Sequence, residues 1–571
     1  MAFVINFLLF YLICNNAYAG GAIVGAVISK AFAATVVGQI IAFAINMVAS
    51  TIISKIFAPS APDQSNLNAQ QPNPGNRQQI PPAGDNKIPV IYGSAYVGGI
   101  ITDMSISENN QDIYWVMVLS EVTNSENGNT ADVFTFGNVY WGGKLCVFGG
   151  NGYSVTGLTD ESTGETQDIT GYMDIYLYRN GSNTPTNSSS TAIQIMQTAG
   201  LVYTWDNTKL MSNCAFAIIH LKYNADRNLT GLSQTRFEIN NPRTAPGDCF
   251  LDYFTSTRYG AAIPLANINT TSLTALNTYS AESFTYVPYS GGSSTQARFT
   301  FNGSLDTNLK IMQNIQAMSD CCDCLVRYNE IAGLWGVVVQ APAYTVVMDI
   351  NDTNMIGGIT VSPIDLNNSF NVIEVKFPDG SAKDSFNSAT FDLATVNPSL
   401  LFANEPVNKQ SVNLYLVNNN VQAQYLANRM LEAAREDLQL QVEINFIGLE
   451  LEAGDIVTVT NANYSWAAKL FRINKVIQKF SDDGKVTATL NLMEFNPAVY
   501  DDVNITQFTP SPNTGIGSPS TFGTIPVPVI YAQYPSTVNP TFDIQITTSS
   551  AGITQYAEVW YSAYQYPTAS Q

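Results

Sequence analysis

The sequence predicts a mainly β protein with some α structure, a multi-domain α+β chain led by an apolar helical segment. Three observations predict it. The body of the chain carries repeated runs in which apolar and polar residues alternate. Charged residues make up only 12% of the 571 residues, against about 25% in an average globular protein. The first 58 residues hold no acid and only two bases, Lys30 and Lys55. At about 150 residues per domain, this length supports roughly three to five cores.

The strands follow from the alternation. Ile113 to Leu119 is a continuous apolar run, as in a strand covered on both faces. Ala215 to Tyr223 begins the same way and becomes half-exposed, with His220 at the transition as a packed or interface residue. Thr235, Phe237 and Ile239 alternate with Arg236, Glu238 and Asn240. Val442, Ile444 and Phe446 alternate with Gln441, Glu443 and Asn445. Val486, Ala488, Leu490 and Leu492 form a further set. Each alternating set reads as a half-buried antiparallel strand.

Helices are fewer. Asp248 is expected to cap a short helix carrying Phe250, Leu251 and Phe254 and ending near Gly260. Asp306 or Thr307 is expected to cap another, with Leu309, Met312, Ile315 and Met318 on one stripe. Ala423, Leu426, Met430, Ala433 and Leu438 place a longer helix over 422–438. The Asn/Ser/Thr/Gly-rich stretch 149–200 reads as surface hairpins and loops.

The amino end differs. Phe3 to Cys14 is apolar and precedes Ala17-Tyr18-Ala19, like a secretory h-region with its cleavage site, although no Lys or Arg precedes it. Gly21, Gly25 and Ser29 lie four apart, a small-residue face that lets helix backbones approach closely. Ala31 to Ser54 is uncharged and long enough to cross a bilayer. Yet Thr35, Gln39, Asn46, Ser50 and Ser54 share one side of a helix. One polar stripe on an apolar helix suits a self-associating bundle with the stripe toward an axis. A membrane-active segment and a buried hairpin stay open beside it. Residues 59–86, rich in Pro, Asn and Gln, form a linker.

Composition excludes several functions. There are 25 Lys+Arg against 45 Asp+Glu, a net charge of −20, with no basic cluster for a phosphate backbone. A single histidine cannot build a multi-His metal site. The one cysteine cluster, Cys321-Cys322-Asp323-Cys324, has no metal-ligand spacing and reads as small residues at a helix end. No nucleophile, base and oxyanion-donor set is recognisable. The chain is therefore expected to have no catalytic residues, no cofactor and no metal.

Several stretches together carry a resemblance. They are Lys87-Ile88-Pro89-Val90-Ile91-Tyr92-Gly93 with Val97-Gly98-Gly99, then Ala215 to Ile239 with Gly231-Leu232. Leu251-Asp252-Tyr253-Phe254-Thr255-Ser256-Thr257-Arg258-Tyr259-Gly260 with Ile263-Pro264 comes next. Arg298-Phe299-Thr300-Phe301-Asn302-Gly303 and Asn368-Ser369-Phe370-Asn371 follow. Asn404-Glu405-Pro406-Val407-Asn408 leads to a helix ending Ala434-Arg435. Leu451-Glu452-Ala453-Gly454-Asp455-Ile456-Val457 and Glu494-Phe495-Asn496-Pro497-Ala498-Val499-Tyr500-Asp501 complete the series. In this collinear order over 87–501 the chain resembles the phage tail hub, or tail tip attachment, family, the lambda-type central tail tip protein found also in gene transfer agents.

The resemblance implies a homotrimer whose barrel-like domains form a pseudo-sixfold ring at the distal end of a tail tube. Its partners would be tail tube or distal tail proteins and receptor-binding or fibre proteins. Host membrane contact would run through 20–58, and genomic DNA would pass without specific binding. The location implied is the virion tail tip, assembled in host cytoplasm. The domains expected are a first barrel-like domain over 87–240 with its insertion at 149–200, an α+β domain over 241–362, and a second barrel-like region over 363–508. A linker at 509–524 leads to 525–571, which resembles the start of a fibronectin type III domain. Only 47 residues follow Thr524, and such a sandwich needs about 100, so further chain or a partner is expected to complete it. Two other readings are a secreted or cell-surface β-rich adhesin and, more remotely, a polysaccharide-degrading enzyme.

Overall fold

Ile113–Leu119, the most continuous apolar run of the body, occupies the middle of the largest sheet. The computed structural model describes residues 79–82, 86–329, 332–363, 370–436, 438–480 and 484–507, and two strands at 529–534 and 541–545. The chain divides into two units, residues 1–508 and 509–571. Among the described residues strand far outweighs helix, as the alternation predicts.

The first part of unit one supplies β1 (Val90–Tyr92), β2 (Ser94–Val97), β3 (Ile100–Ile106), β4 (Asp112–Glu121), β5 (Thr135–Trp141), β6 (Lys144–Phe148), β7 (Ser154–Thr159), β8 (Thr166–Tyr178), β9 (Cys214–Lys222) and β10 (Thr235–Asn240). After β11 (Ser283–Val287) and β12 (Ser294–Ala297), β13 (Gly303–Leu305) returns to pair with β1, Val90 opposite Leu305. The sheet runs β13-β1-β4-β9-β8-β7-β6-β5-β10-β2, with β3 also on β4. It curls into a nearly closed barrel, because β1 and β2 are consecutive strands at a sharp corner. Gly93 makes that corner with φ 64°, donating its N–H to the Arg243 carbonyl at 3.0 Å. A positive φ is cheap only for glycine.

The inner face packs Ile91, Trp115, Met117, Leu119, Phe134, Ile175, Ala217 and Phe237. The opposite face of β4, β8 and β9 carries Tyr114, Val116, Tyr176, Phe216 and Ile218, and is covered by Ala192, Met196, Leu201 and Trp205. The stretch 149–200 is therefore not a set of surface loops. β7 and β8 do form a hairpin, but β8 pairs with β9 from Met173 to Tyr178 inside the sheet. The short helix Ala192–Ile195 that follows helps seal the outer face. Thr, Gly and Asp throughout the hairpin masked the apolar positions Val155, Leu158, Ile169, Ile175 and Leu177.

A second core joins the middle of the chain. The helices Pro246–Thr255, Thr270–Ala281, Ile311–Cys322 and Asn420–Ala433 pack with the hairpin β14 (Cys324–Asn329) and β15 (Leu334–Val339). β16 (Val346–Ile350) and β17 (Met355–Pro363) lead on to β18 (Val372–Asp379), β19 (Ser385–Asp392) and β20 (Lys409–Asn413), a small sheet over the same core. The last sheet adds β21 (Leu438–Ile444), β22 (Ile456–Asn461), β23 (Trp466–Phe480) and β24 (Val486–Glu494) in the order β16-β22-β23-β24-β21-β17. The boundary expected at 362/363 thus falls inside β17, and the strands on either side of 370–436 share one sheet. The edge strand β25 (Ile505–Thr506) runs parallel to β11. In unit two, β26 (Val529–Tyr534) and β27 (Thr541–Gln545) form an antiparallel pair. The stretches 509–524 and 556–562 lie outside the described residues.

Helix ends depart from expectation in ways the caps explain. Asp248 lies in the first turn of its helix rather than at the cap; Ala245 is the cap and Pro246 opens the helix, where its missing N–H costs nothing. That helix closes at Thr255, before Gly260. Neither Asp306 nor Thr307 caps the next, which starts at Ile311 after Lys310, and Leu309 stays 44% exposed. The long helix ends at Ala433. Leu438, five residues on, starts β21 opposite Pro363, since a step of five leaves a 3.6-residue stripe. Phe446 leaves its strand for a 3-10 turn and is 66% exposed. Thr270–Ala281 escaped the sequence reading altogether. Its Asn269 cap accepts from the Ser272 N–H at 3.1 Å, and Thr274 and Thr278 bond back to carbonyls one turn earlier.

Gly247 sets how closely the first two of these helices approach. A Cβ there would stand 2.1 Å from the Leu273 carbonyl oxygen, and its N–H donates to Asn277 Oδ1 at 2.7 Å. Gly247→Ala is expected to lower stability by about 1–3 kcal/mol through overpacking, read from the midpoint of urea unfolding at unchanged slope.

Candidate functional site

The described residues concentrate their buried charge at joints between cores. The largest joint is built on Arg429, from the helix Asn420–Ala433, whose side chain is 2% exposed. One terminal nitrogen donates to Asp323 Oδ2 at 3.1 Å and to the Gln340 carbonyl at 3.3 Å. The other donates at 2.7 Å to Tyr279 OH, Tyr425 OH and the Tyr500 carbonyl. Arg472, from β23, donates to Gln340 Oε1 at 2.6 Å and lies over the Phe495 ring at 4.7 Å. Arg298 bonds to Tyr425 and Asp502, and its guanidinium stacks 4.5 Å from the centre of the Tyr279 ring. Burial pushes the Asp323 carboxyl up, with the Arg429 charge opposing it. For Asp502, the hydrogen bonds from Tyr425 and Arg298 outweigh burial and hold the carboxyl low. A buried charge is tolerated only when paired and hydrogen-bonded.

A cavity of about 680 Å³ opens beside this joint. Its lining includes Arg429, Arg472, Asn474 and Tyr500 as well as Ile315, Leu325, Phe370 and Met430. The wall is apolar for most of its area, with no nucleophile-and-base pair among the described lining residues.

The second joint is Asp252. Its Oδ2 accepts from Tyr92 OH at 2.8 Å and Tyr259 OH at 2.9 Å, and its Oδ1 from the Asn124 N–H at 2.7 Å. Burial raises its carboxyl above the usual range, against those hydrogen bonds. Arg258 closes the same turn on Glu121, and a Cβ on Gly260 would meet the Tyr253 carbonyl. The segment 251–260, legible as a motif, is thus a clasp between the first barrel and the helical core.

Other motif segments meet in the same manner. Arg435 holds Glu405 through two 2.9 Å bonds with both side chains buried. Asn371 donates to the Pro406 carbonyl at 2.9 Å and accepts from the Asn408 N–H at 2.8 Å. The turn at Gly454 receives Arg327 on the Ala453 carbonyl at 2.8 Å and Asn329 on Glu452 at 2.9 Å. Sequence reasoning found these segments but not their partners. Arg429 itself was missed, because a lone arginine in an amphipathic helix looks like a solvated one.

His220 is packed, as expected for its place on β9, and its setting is unusual. It stacks on Tyr114 at 4.4 Å. Nδ1 lies 3.0 Å from Asp174 on β8, and Nε2 lies 3.0 Å from Asp112 on β4. Both nitrogens can donate only in the imidazolium form. Burial pushes its pKa down, but the hydrogen bonds and charges of Asp174 and Asp112 win, raising it above the ordinary value.

The candidate axial residues Gly21, Gly25, Ser29, Thr35, Gln39, Asn46, Ser50 and Ser54 lie outside the described residues. Among the described residues no helix is long and apolar enough to cross a membrane, and no cluster of three or more His, Cys, Asp or Glu is placed to hold a metal ion.

No protein-family model and no curated protein sequence matches the chain. Among solved structures, it is similar to a chain of the virion of a native gene transfer agent particle, at 12% identity and a TM-score of 0.49, covering 84% of this chain and 98% of that one. It is also similar to a tail protein from Neisseria meningitidis MC58, at 10% identity and a TM-score of 0.31, covering 72% of this chain and 99% of that one. The 43 kDa tail protein of prophage MuSo2 from Shewanella oneidensis aligns at 9% identity and a TM-score of 0.27, covering 72% of this chain and 96% of that one.

Two outcomes test the joints. Arg429→Leu leaves the buried Asp323 without its ion-pair partner, with Gln340 Nε2 still donating to it at 3.0 Å, and is expected to cost about 3–5 kcal/mol; adding Asp323→Asn should restore a large part, both read by guanidinium unfolding. For His220 the folded pKa is raised, so its contribution is full below the unfolded value of about 6.5 and is lost as pH rises through the folded value. His220→Gln is expected to remove that alkaline decline from the pH profile of the thermal midpoint.

Proposed function

We propose that this chain is a structural component of a phage-type tail, the trimeric hub at the distal end of the tail tube. The observation that carries the reading is where the collinear motifs sit. Tyr92 of the first reaches Asp252 of the third, Asn371 reaches the 404–408 segment, and Glu405 reaches Arg435 just past the end of the long helix. Residues that resemble a tail hub in order are thus spent on welding cores together. That is what a scaffold under mechanical load requires, and a catalytic cleft does not.

Two further features support it. One subunit carries two large curled sheets, one β13-to-β2 and one β16-to-β17, so three subunits would present six to a sixfold tube. Cyclic closure uses each heterologous interface and leaves none open. The excess of acids, 45 against 25 bases, suits a lumen that DNA crosses without sticking. In this reading the ring binds tail tube or distal tail proteins above and receptor-binding or fibre proteins below, and opens for DNA passage. The segment 20–58 gathers near the threefold axis through Gly21, Gly25 and Ser29, with the Thr35/Gln39/Asn46 stripe inward, and touches the host membrane on release. Residues 525–571 begin a fibronectin type III-like module.

Light scattering and electron microscopy of the purified full chain test the reading together. The expected result is a trimer seen as a threefold ring, with Gly25→Leu loosening density at the axis while the ring persists. A monodisperse monomer at assembly concentrations, or a ring of another order, overturns it.

A further inference from the structure

The helix Ile311–Cys322 ends in a turn whose sulfur chemistry the scaffold role does not use. Cys322 is its last residue and Cys324 the first of β14, with Asp323 between them in the left-handed conformation, φ 49° and ψ 55°. This reversal brings Cys322 Sγ to 3.5 Å from Cys324 Sγ. Both thiols are free and buried, and Cys324 also lines the cavity of about 680 Å³ beside the Arg429 joint. Asp323 is the carboxylate that neutralises Arg429.

We propose that Cys322 and Cys324 form a redox-controlled clasp, closed by small disulfides or comparable thiol oxidants that enter through the cavity. The Cys324 thiolate, from the one residue of the pair that lines the cavity, attacks one sulfur of the small disulfide and releases one thiolate. A mixed disulfide remains on Cys324. The Cys322 thiolate then attacks Cys324 Sγ and expels the second thiolate. Two cysteine protons pass to the two released thiolates, and two electrons move from the cysteine pair to the reagent. The closed clasp encloses only Asp323, so the loop-entropy gain is small. Its effect is local: it fixes the turn that aims the Asp323 carboxylate at Arg429. Reducing compartments keep the pair as thiols, and oxidising ones close it. Burial pushes the Cys322 thiol up, so closure is slow at neutral pH.

The test uses the folded full chain with 2-hydroxyethyl disulfide, followed by denaturation, alkylation and peptide mapping. The expected product is about 2 Da lighter than the reduced chain, with Cys322 and Cys324 protected and Cys14, Cys146, Cys214, Cys249 and Cys321 alkylated. Cys322→Ser is expected to stop at a hydroxyethyl adduct on Cys324, which reports the cavity route without needing the bridge. Dithiothreitol, a small dithiol that fits the same route, should reopen the wild-type pair. Alkylation of both cysteines after oxidation, a bridge involving Cys321, or no adduct on Cys324 in the variant overturns the proposal.

Discussion

Arg429 brings a full positive charge into a place where water cannot follow, and the surrounding architecture answers that one demand. Desolvating a guanidinium costs several kcal/mol unless its donors are met by fixed acceptors. Nε has no partner among the described residues; the acceptors for the two terminal nitrogens come from Asp323, Gln340, Tyr279, Tyr425 and Tyr500. These lie at a helix end, a strand exit, two helices and a late 3-10 turn. Each element is held where it is because moving it would strip a partner from the charge. Apolar packing alone tolerates small slides; a fan of oriented hydrogen bonds does not. Asp252 and the Glu405–Arg435 pair apply the same device at smaller scale.

This organisation explains the peculiar composition. Few charges are present, and many of those present point inward. Arg243 to Asp132, Arg258 to Glu121 and Arg435 to Glu405 are all partly or wholly buried pairs. Outside, Asn, Thr and Ser caps and turns satisfy the backbone, as with Asp160, Asp168 and Asp206, whose carboxyls are held low by neighbouring hydroxyl and amide donors.

The β class and its central strands were legible because period-two alternation survives wherever one face is covered, as in 235–240 and 486–494. A hairpin within 149–200 is expected from the sequence, but the burial of 154–178 was hidden by the Thr, Gly and Asp that dominate its average composition. The helix 270–281 was hidden because Thr and Ser, poor interior formers, here bond back to their own carbonyls. The motif 251–260 could be recognised as a segment, while Arg298, Arg429 and Arg472 could not be grouped, because they are brought together from three distant places and charge in sequence carries no depth. The stripe Gly21 to Ser54 rests on sequence alone.

The pairing of β1 with β13 has a consequence for how the molecule is made. Val90 meets Leu305 and Tyr92 meets Gly303, so the first barrel's seam waits for chain synthesised more than two hundred positions later. Until then the growing polypeptide presents an unpaired strand edge, the kind of template that recruits foreign strands. Asp502, which neutralises Arg298, emerges later still. Contacts this distant in sequence make folding slow. Concentration during that interval, more than final stability, governs whether neighbouring copies assemble or aggregate.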